Sequence, residues 1–248
     1  MSKKKRSKRI FQIVLFAGTF ISLFFVPWIL VKAWIMPLPD TIQEQLEEGI
    51  DHGFDGIIVY VDQADKKPAF YAAGWHNRKD SIPAYPQAIF KIASISKLYH
   101  AVAITKLVHS KQLDLDKTLA DYFPELADRI EYADKITVRM MVQHRSGIPN
   151  LTETPNYWTN PPTSSDEALE RIFDLPANFE PGTDYEYSNT NYLLISELIR
   201  KVTGAPKFQY TKKEILTPLG LKNTFGSIHD VNMDSVMSGY YAGIEEDI

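Results

Sequence analysis

The spacing of apolar and polar positions changes character several times along the chain. Residues 10–31, IFQIVLFAGTFISLFFVPWILV, carry no ionisable side chain. A run of that length exceeds the roughly 20 residues needed to cross a hydrocarbon core and predicts a transmembrane helix. Residues 32–40, ending in MPLPD, read as a short stiff linker. Beyond it Ile42, Leu46 and Ile50 recur at helical spacing, with Asp40 as the cap and Gln43 three residues on, which predicts an amphipathic helix ending near Gly53. The segments GIIVYVDQ (56–63) and KPAFYAAGWHN (67–77) are rich in β-branched and aromatic residues, and the polar ADK between them predicts an antiparallel hairpin.

From Ser94 onward Ile95, Leu98, Ala101, Val102, Ile104, Leu107 and Val108 surround most of a helix circumference, the pattern of a helix buried on nearly every side. A short helix is expected from Thr137, another behind a capping box from Ser164 to Glu167, and a longer one over 190–204 that stops at Gly204 before Pro206. Residues 41–248 therefore read as an α+β domain, an antiparallel sheet with a helical subdomain. Two strands alone make a marginal sheet. Because 226–248 shows no further strand pairs, the C-terminal part of the sheet is expected to be missing.

Charge adds an orientation. Lys3, Lys4, Lys5, Arg6, Lys8 and Arg9 precede the apolar run, so residues 1–9 are expected to be a cytoplasmic tail and the globular part to lie outside the membrane. The rival reading is a cleaved signal peptide, with VKA at 31–33 as the processing site. All 31 acidic residues follow Lys32, whereas seven of the 27 basic ones lie at or before it, so no basic face remains to neutralise nucleic acid. With no cysteine, thiolate metal sites, disulfides and a cysteine nucleophile are excluded. The six histidines lack metal-ligand spacing, and no phosphate loop, dinucleotide fingerprint or G-x-S-x-G elbow occurs. No cofactor is implied, and the oligomeric state is not legible.

Candidate chemistry sits in KIASISKLYHA, residues 91–101, where Ser94 lies one helical turn from Lys97. A serine hydroxyl needs a base to become a nucleophile, and a lysine in an apolar setting can serve. The tetrad is weak by itself. A second one, Ser2 to Lys5, occurs in the basic tail, so a catalytic serine and a plain helix start both remain open.

Four blocks narrow the choice: 88–126 around Ser94, ITVRMMVQHRSGIPN (136–150), FEPGTDYEYSNTNYLLISELIRKVTG (179–204) and ILTPLGLKNTFG (215–226). In order and spacing they resemble the serine β-lactamases and penicillin-binding proteins, and most closely the class C-like branch with its carboxypeptidases and esterases. The resemblance implies a β-lactamase/transpeptidase-like fold. It further implies Ser94 as acylated nucleophile, Lys97 and Tyr187 as the proton-transfer pair, Asn189 as a donor to substrate, and the Ser94 backbone N–H as an oxyanion donor. His144 in HRSG is expected to be structural, capping its short helix.

The family's third motif, a Lys-Thr-Gly or His-x-Gly triplet on a later strand, does not occur after Asn189. The resemblance assigns that strand the second oxyanion donor, an electrostatic contribution of roughly 3–4 kcal/mol. With Ser94, Lys97, Tyr187 and Asn189 all intact, the expectation is the N-terminal part of a longer reading frame and not a short protein that has lost catalysis. The function expected is a membrane-anchored extracytoplasmic serine hydrolase acting on an amide or ester: a β-lactam, a D-Ala-D-Ala-type or other cell-wall peptide, or a small ester. The alternatives are a binding or sensor module without turnover and an inactive fragment.

Overall fold

The computed structural model describes residues 3–240, so the ends of the expected tail and domain, 1–2 and 241–248, lie outside the described residues. Helix α1 spans Lys3–Leu23 and α2 spans Trp28–Ile35. The apolar run at 10–31 is thus divided between two helices, and no helix among the described residues is long and apolar enough to cross a membrane. The break has a local cause: Pro27 has no N–H to donate and disfavours helical geometry in the residue before it. The chain tightens into three-residue turns at Phe24–Val26 before α2 begins.

Contacts separate two units, one made of the residues up to Phe90 with those from Asp234, the other of Lys91–Met233. In the first, α3 (Ile42–Asp51) is capped by Thr41 and not by Asp40. Thr41 has the extended backbone a cap needs, and its side chain accepts from the Glu44 N–H while the Glu44 carboxylate accepts from the Thr41 N–H. Strands β1 (Gly56–Val61) and β2 (Ala69–Asn77) form the expected hairpin, with Ile58 opposite Ala72 and Tyr60 opposite Phe70. A two-residue strand, β3 (Ile82–Pro83), continues the sheet in the order β1-β2-β3. It was not legible in the sequence because two residues carry no alternation. The segment 234–240 closes on this unit through an isolated bridge between Ile89 and Val236 and a bond from the Ser238 N–H to the His76 carbonyl.

The second unit is helical: α4 (Ser96–His109), α5 (Leu119–Tyr122), α6 (Val138–Val142), α7 (Ser165–Glu170), α8 (Asn189–Thr203) and α9 (Lys207–Thr211), the last running into a π-helical turn at Lys212–Leu216. Its core is built where α4, α6 and α8 meet: Leu107, Met141, Leu194, Ile195, Leu198 and Ile199 are fully buried. Truncating one such side chain to alanine costs about 2–5 kcal/mol. Helix α8 ends as expected, at Gly204 in the left-handed region (φ 68°).

Helix α4 departs from its expected burial. His100, Ala103, Ile104 and Leu107 are buried, but Ile95, Leu98 and Val102 stay exposed at 55%, 66% and 45%. An apolar pattern reports what a side chain would gain on burial, and among the described residues nothing covers that stripe.

Candidate active site

The chain enters α4 through a 3-10 turn, Ala93–Ile95. Ala93 takes φ 42°, a left-handed conformation that costs a residue with a Cβ about 1–2 kcal/mol. Ser94 therefore belongs to the turn before the helix and not to its first α-turn. Lys97 lies three residues on, in the first turn of α4, the spacing that lets its side chain reach Ser94. Ser94 is exposed and Lys97 half-buried.

The four expected site residues come together. Lys97 Nζ donates to Ser94 Oγ at 3.0 Å and to Asn189 Oδ1 at 2.9 Å. The Tyr187 hydroxyl lies 2.8 Å from Ser94 Oγ. The Lys97 ammonium also stands over the Tyr187 and Tyr192 rings, 4.9 Å and 5.6 Å from their centroids. Burial pushes the Tyr187 phenol up, but hydrogen bonds with Lys97 and Ser94 and the Lys97 charge outweigh it, leaving the phenol below the ordinary tyrosine value. The arrangement is a serine oxygen held between an ammonium donor and an acidified phenol. It can accept a hydrogen bond from one and pass its proton to the other.

What holds Tyr187 and Asn189 in place is the loop that follows α6. The Glu186 N–H donates to the His144 carbonyl, the Ser188 N–H to His144 Nδ1 at 3.1 Å, and the Asn189 N–H to Asn150 Oδ1 at 3.0 Å. Thr190 Oγ1 donates to the Pro149 carbonyl at 2.6 Å and accepts from the Leu151 N–H. Ser146 Oγ donates to Asn191 Oδ1 at 2.6 Å. Residues 144–151 are thus a template against which 186–191 lies.

His144 is structural but is not the cap of its helix, which closes on Gln143. Its backbone takes the left-handed turn after α6 (φ 57°), and its ring reaches across to Ser188 while stacking on Tyr187 at 4.5 Å and on Tyr192 at 5.1 Å. Because Nδ1 accepts a hydrogen bond, the ring proton sits on Nε2. Asn150 and Thr152, which hold the Asn189 amide, were missed in the sequence. The available signal was the density of small polar residues in SGIPNLT just after a helix.

A cavity of about 860 Å³ opens at the other end of α4, lined by His109, Gln112, Thr203, Tyr210 and Glu214 among others, and touches none of the four site residues.

Comparison with known proteins decides the relationship. The family model described as Beta-lactamase matches residues 38–245, most of the chain. The chain belongs to the beta-lactamase family. Among its relatives, N-acetylmuramyl-L-alanine amidase of Bacillus subtilis (strain 168) is 28% identical in an alignment 201 residues long that covers 74% of this chain and 45% of that protein. Among solved structures, D-amino acid amidase from Ochrobactrum anthropi SV3 superposes with a TM-score of 0.71 at 27% identity, covering 84% of this chain and 59% of the amidase. The octameric penicillin-binding protein homologue from Pyrococcus abyssi does so with a TM-score of 0.72 at 28% identity, covering 84% and 50%. The fold is accordingly β-lactamase/transpeptidase-like, and the chain is related to β-lactamase-type serine hydrolases. It spans about half the length of the curated relatives it matches.

Proposed function

We propose that this beta-lactamase family member is a serine hydrolase that works through an acyl-enzyme on Ser94, with an amide or ester as substrate. The observation that carries the reading is the position of Ser94 Oγ, 3.0 Å from Lys97 Nζ and 2.8 Å from the Tyr187 hydroxyl. In the proposed first step Ser94 Oγ bonds to the substrate carbonyl carbon as its proton passes to the Tyr187 oxygen, with Lys97 as the cation that favours phenolate. The carbonyl oxygen gathers charge next to the Ser94 backbone N–H. Collapse breaks the bond to the leaving group, which takes the proton back from Tyr187. Water then cleaves the acyl-serine by the same path in reverse. The amidases among its relatives support an amide, and the muramyl amidase supports a cell-wall peptide within that class.

Membrane attachment through residues 10–31, with the N-terminus cytoplasmic, belongs to the same proposal. It rests on the uncharged run behind six basic residues.

The test is to treat the folded chain with a fluorescent penicillin and with a fluorophosphonate, then map the label by mass spectrometry. Label on Ser94 that is lost with time supports turnover. Penicillin label that stays on Ser94 identifies a sensor that is acylated without release, whereas fluorophosphonate label, a stable phosphonyl ester, reports only that Ser94 is nucleophilic. If neither reagent reaches Ser94 while the chain is folded, the hydrolase reading fails.

A further inference from the structure

Lys97 is held against Ser94 by a hydrogen bond to Asn189 Oδ1, so it matters which end of the Asn189 amide faces it. An amide presents an acceptor at one end and donors at the other, and Asn189 alone has no reason to prefer one orientation. The choice is made behind it. Asn189 Nδ2 donates to Asn150 Oδ1 at 3.3 Å and to Thr152 Oγ1 at 3.2 Å. The Thr152 hydroxyl can accept from Asn189 because its own proton goes to Asn150 Oδ1 at 3.0 Å. Asn150 Oδ1 also takes the Asn189 backbone N–H at 3.0 Å and the Thr152 backbone N–H at 3.4 Å, so this oxygen is the hub on which four donors converge.

Asn150 is itself an amide, buried to within 7% of full enclosure, and could in principle turn over. Glu153, together with the Asn189 and Thr152 backbone N–H groups on Oδ1, prevents that. The Glu153 carboxylate, which only accepts, takes the Asn150 Nδ2 hydrogen at 2.8 Å and so keeps Oδ1 aimed at Asn189. The polarity then runs without a break from Glu153 through Asn150 and Asn189 to Lys97 and Ser94. Turning the Asn189 amide would bring its NH2 group against the Lys97 ammonium, and turning the Asn150 amide would bring its NH2 group against the Asn189 donors and its oxygen against the Glu153 carboxylate.

We propose that Asn150, oriented by Glu153, is a positioning residue that fixes the Asn189 amide and thereby holds Lys97 on Ser94. The kinetic consequence rests on the hydrolase reading above, while the positioning itself does not. Tyr187 reports it directly, because the phenol is faced by Lys97, the Ser94 hydroxyl, the stacked His144 ring and Tyr192. His144 titrates below its ordinary value, well away from the phenol. Glu153 is the carboxylate bonded to Asn150.

The experiment is an NMR titration of ring-labelled tyrosine in the full chain, comparing wild type with Asn150→Ala and with the double change Asn150→Asp, Glu153→Gln. In Asn150→Ala the Asn189 amide is free to turn, Lys97 is no longer held, and the Tyr187 midpoint moves up toward the ordinary tyrosine range. In the double variant an Asp oxygen still accepts from Asn189 and a Gln amide can donate to the other, but the negative charge moves one residue closer to Lys97 and Tyr187. That variant is expected to keep the fold and the hold on Lys97 and to raise the Tyr187 midpoint through the moved charge alone, so it calibrates the effect of charge at position 150. If Ser94 reacts with a fluorophosphonate, Asn150→Ala slows it roughly tenfold to a hundredfold, the cost of leaving buried donors unpaired. A Tyr187 midpoint unchanged in folded Asn150→Ala overturns the proposal; if Asn150→Ala does not fold, Glu153→Ala decides, because loss of a carboxylate alone moves the midpoint down whereas release of Lys97 moves it up. Wild-type Ser94 that fails to react would end the hydrolase reading and leave the titration to judge Asn150.

Discussion

The Tyr187 hydroxyl reaches Ser94 Oγ at 2.8 Å across a sequence separation of 93 residues. The contact exists because two segments are built to meet: a strained turn at Ala93 lifts Ser94 ahead of α4, and the 144–151 loop pins the start of α8 opposite it. Between them stands Lys97, which donates to both sides.

If Tyr187 takes the proton of Ser94, its removal must cost rate and change the pH profile together. Tyr187→Phe is expected to slow fluorophosphonate labelling of Ser94 by about 10²–10⁴-fold, the usual worth of a positioned proton acceptor. In the wild type the rate should rise with pH as the phenol ionises, and level off earlier than an ordinary tyrosine would allow, because Lys97 and Ser94 lower its pKa against the effect of burial. Tyr187→Phe removes that rise. Rates measured from pH 6 to 10 that keep the same rising limb in Tyr187→Phe would take Tyr187 out of the proton path.

The ring of His144 supplies an acceptor to a buried N–H, so a shape-preserving change should still be felt. His144→Phe keeps an aromatic ring between Tyr187 and Tyr192 but leaves the Ser188 N–H unpaired, a loss of about 1–3 kcal/mol. Urea unfolding followed by fluorescence should show a lower midpoint with an unchanged slope. An undisturbed midpoint would mean that Ser188 finds another partner and that His144 serves by packing alone.

Much of this was legible in the sequence where the signal is local. The β1–β2 hairpin follows from β-branched runs on either side of ADK, and the end of α8 from a glycine that accepts φ 68°. Ser94 and Lys97 were legible as a pair, and Tyr187 and Asn189 through the resemblance. What the sequence hid was relational. Asn150 and Thr152 gain their importance from a segment almost forty residues away. The exposed stripe of Ile95, Leu98 and Val102 shows that apolar periodicity marks a capacity for burial and not its fulfilment. At 10–31, counting apolar residues overlooked the one proline that divides them between α1 and α2.

Gly147 is where the template loop passes closest to its neighbour. Its φ is 77°, and a Cβ there would lie 2.1 Å from the Phe179 carbonyl oxygen, a backbone atom that cannot swing aside. The same approach lets the Asn178 N–H reach the Gly147 carbonyl at 2.9 Å. Gly147→Ala must therefore either shift the 178–179 backbone or leave the left-handed region, and a loss of more than about 3 kcal/mol is expected. Thermal unfolding should show it as a fall in Tm larger than that of Gly204→Ala, where φ is also positive but nothing lies within 4 Å. Equal losses at the two glycines would show that backbone conformation, and not the close approach, sets the cost.

His100 makes a prediction about acid. It is buried in α4, Nδ1 donates to the Ser96 carbonyl at 2.9 Å, and Nε2 has no hydrogen-bond partner among the described residues. Burial first, then the charges of Lys207 and Lys97, lower its pKa to about 4 despite the bond to Ser96. The unfolded chain has an ordinary imidazole near pH 6.5, so below that pH it binds a proton that the folded chain refuses, and stability falls as pH drops. The contribution is complete above about 6.5 and lost progressively toward about 4, a change of about 2–3 kcal/mol. His100→Leu removes the titrating group while keeping an apolar contact with Tyr192. Urea midpoints at pH 7 and pH 4 should therefore differ less in the variant than in the wild type by that amount. The same pH dependence in both proteins would show that His100 is protonated in the folded state without penalty.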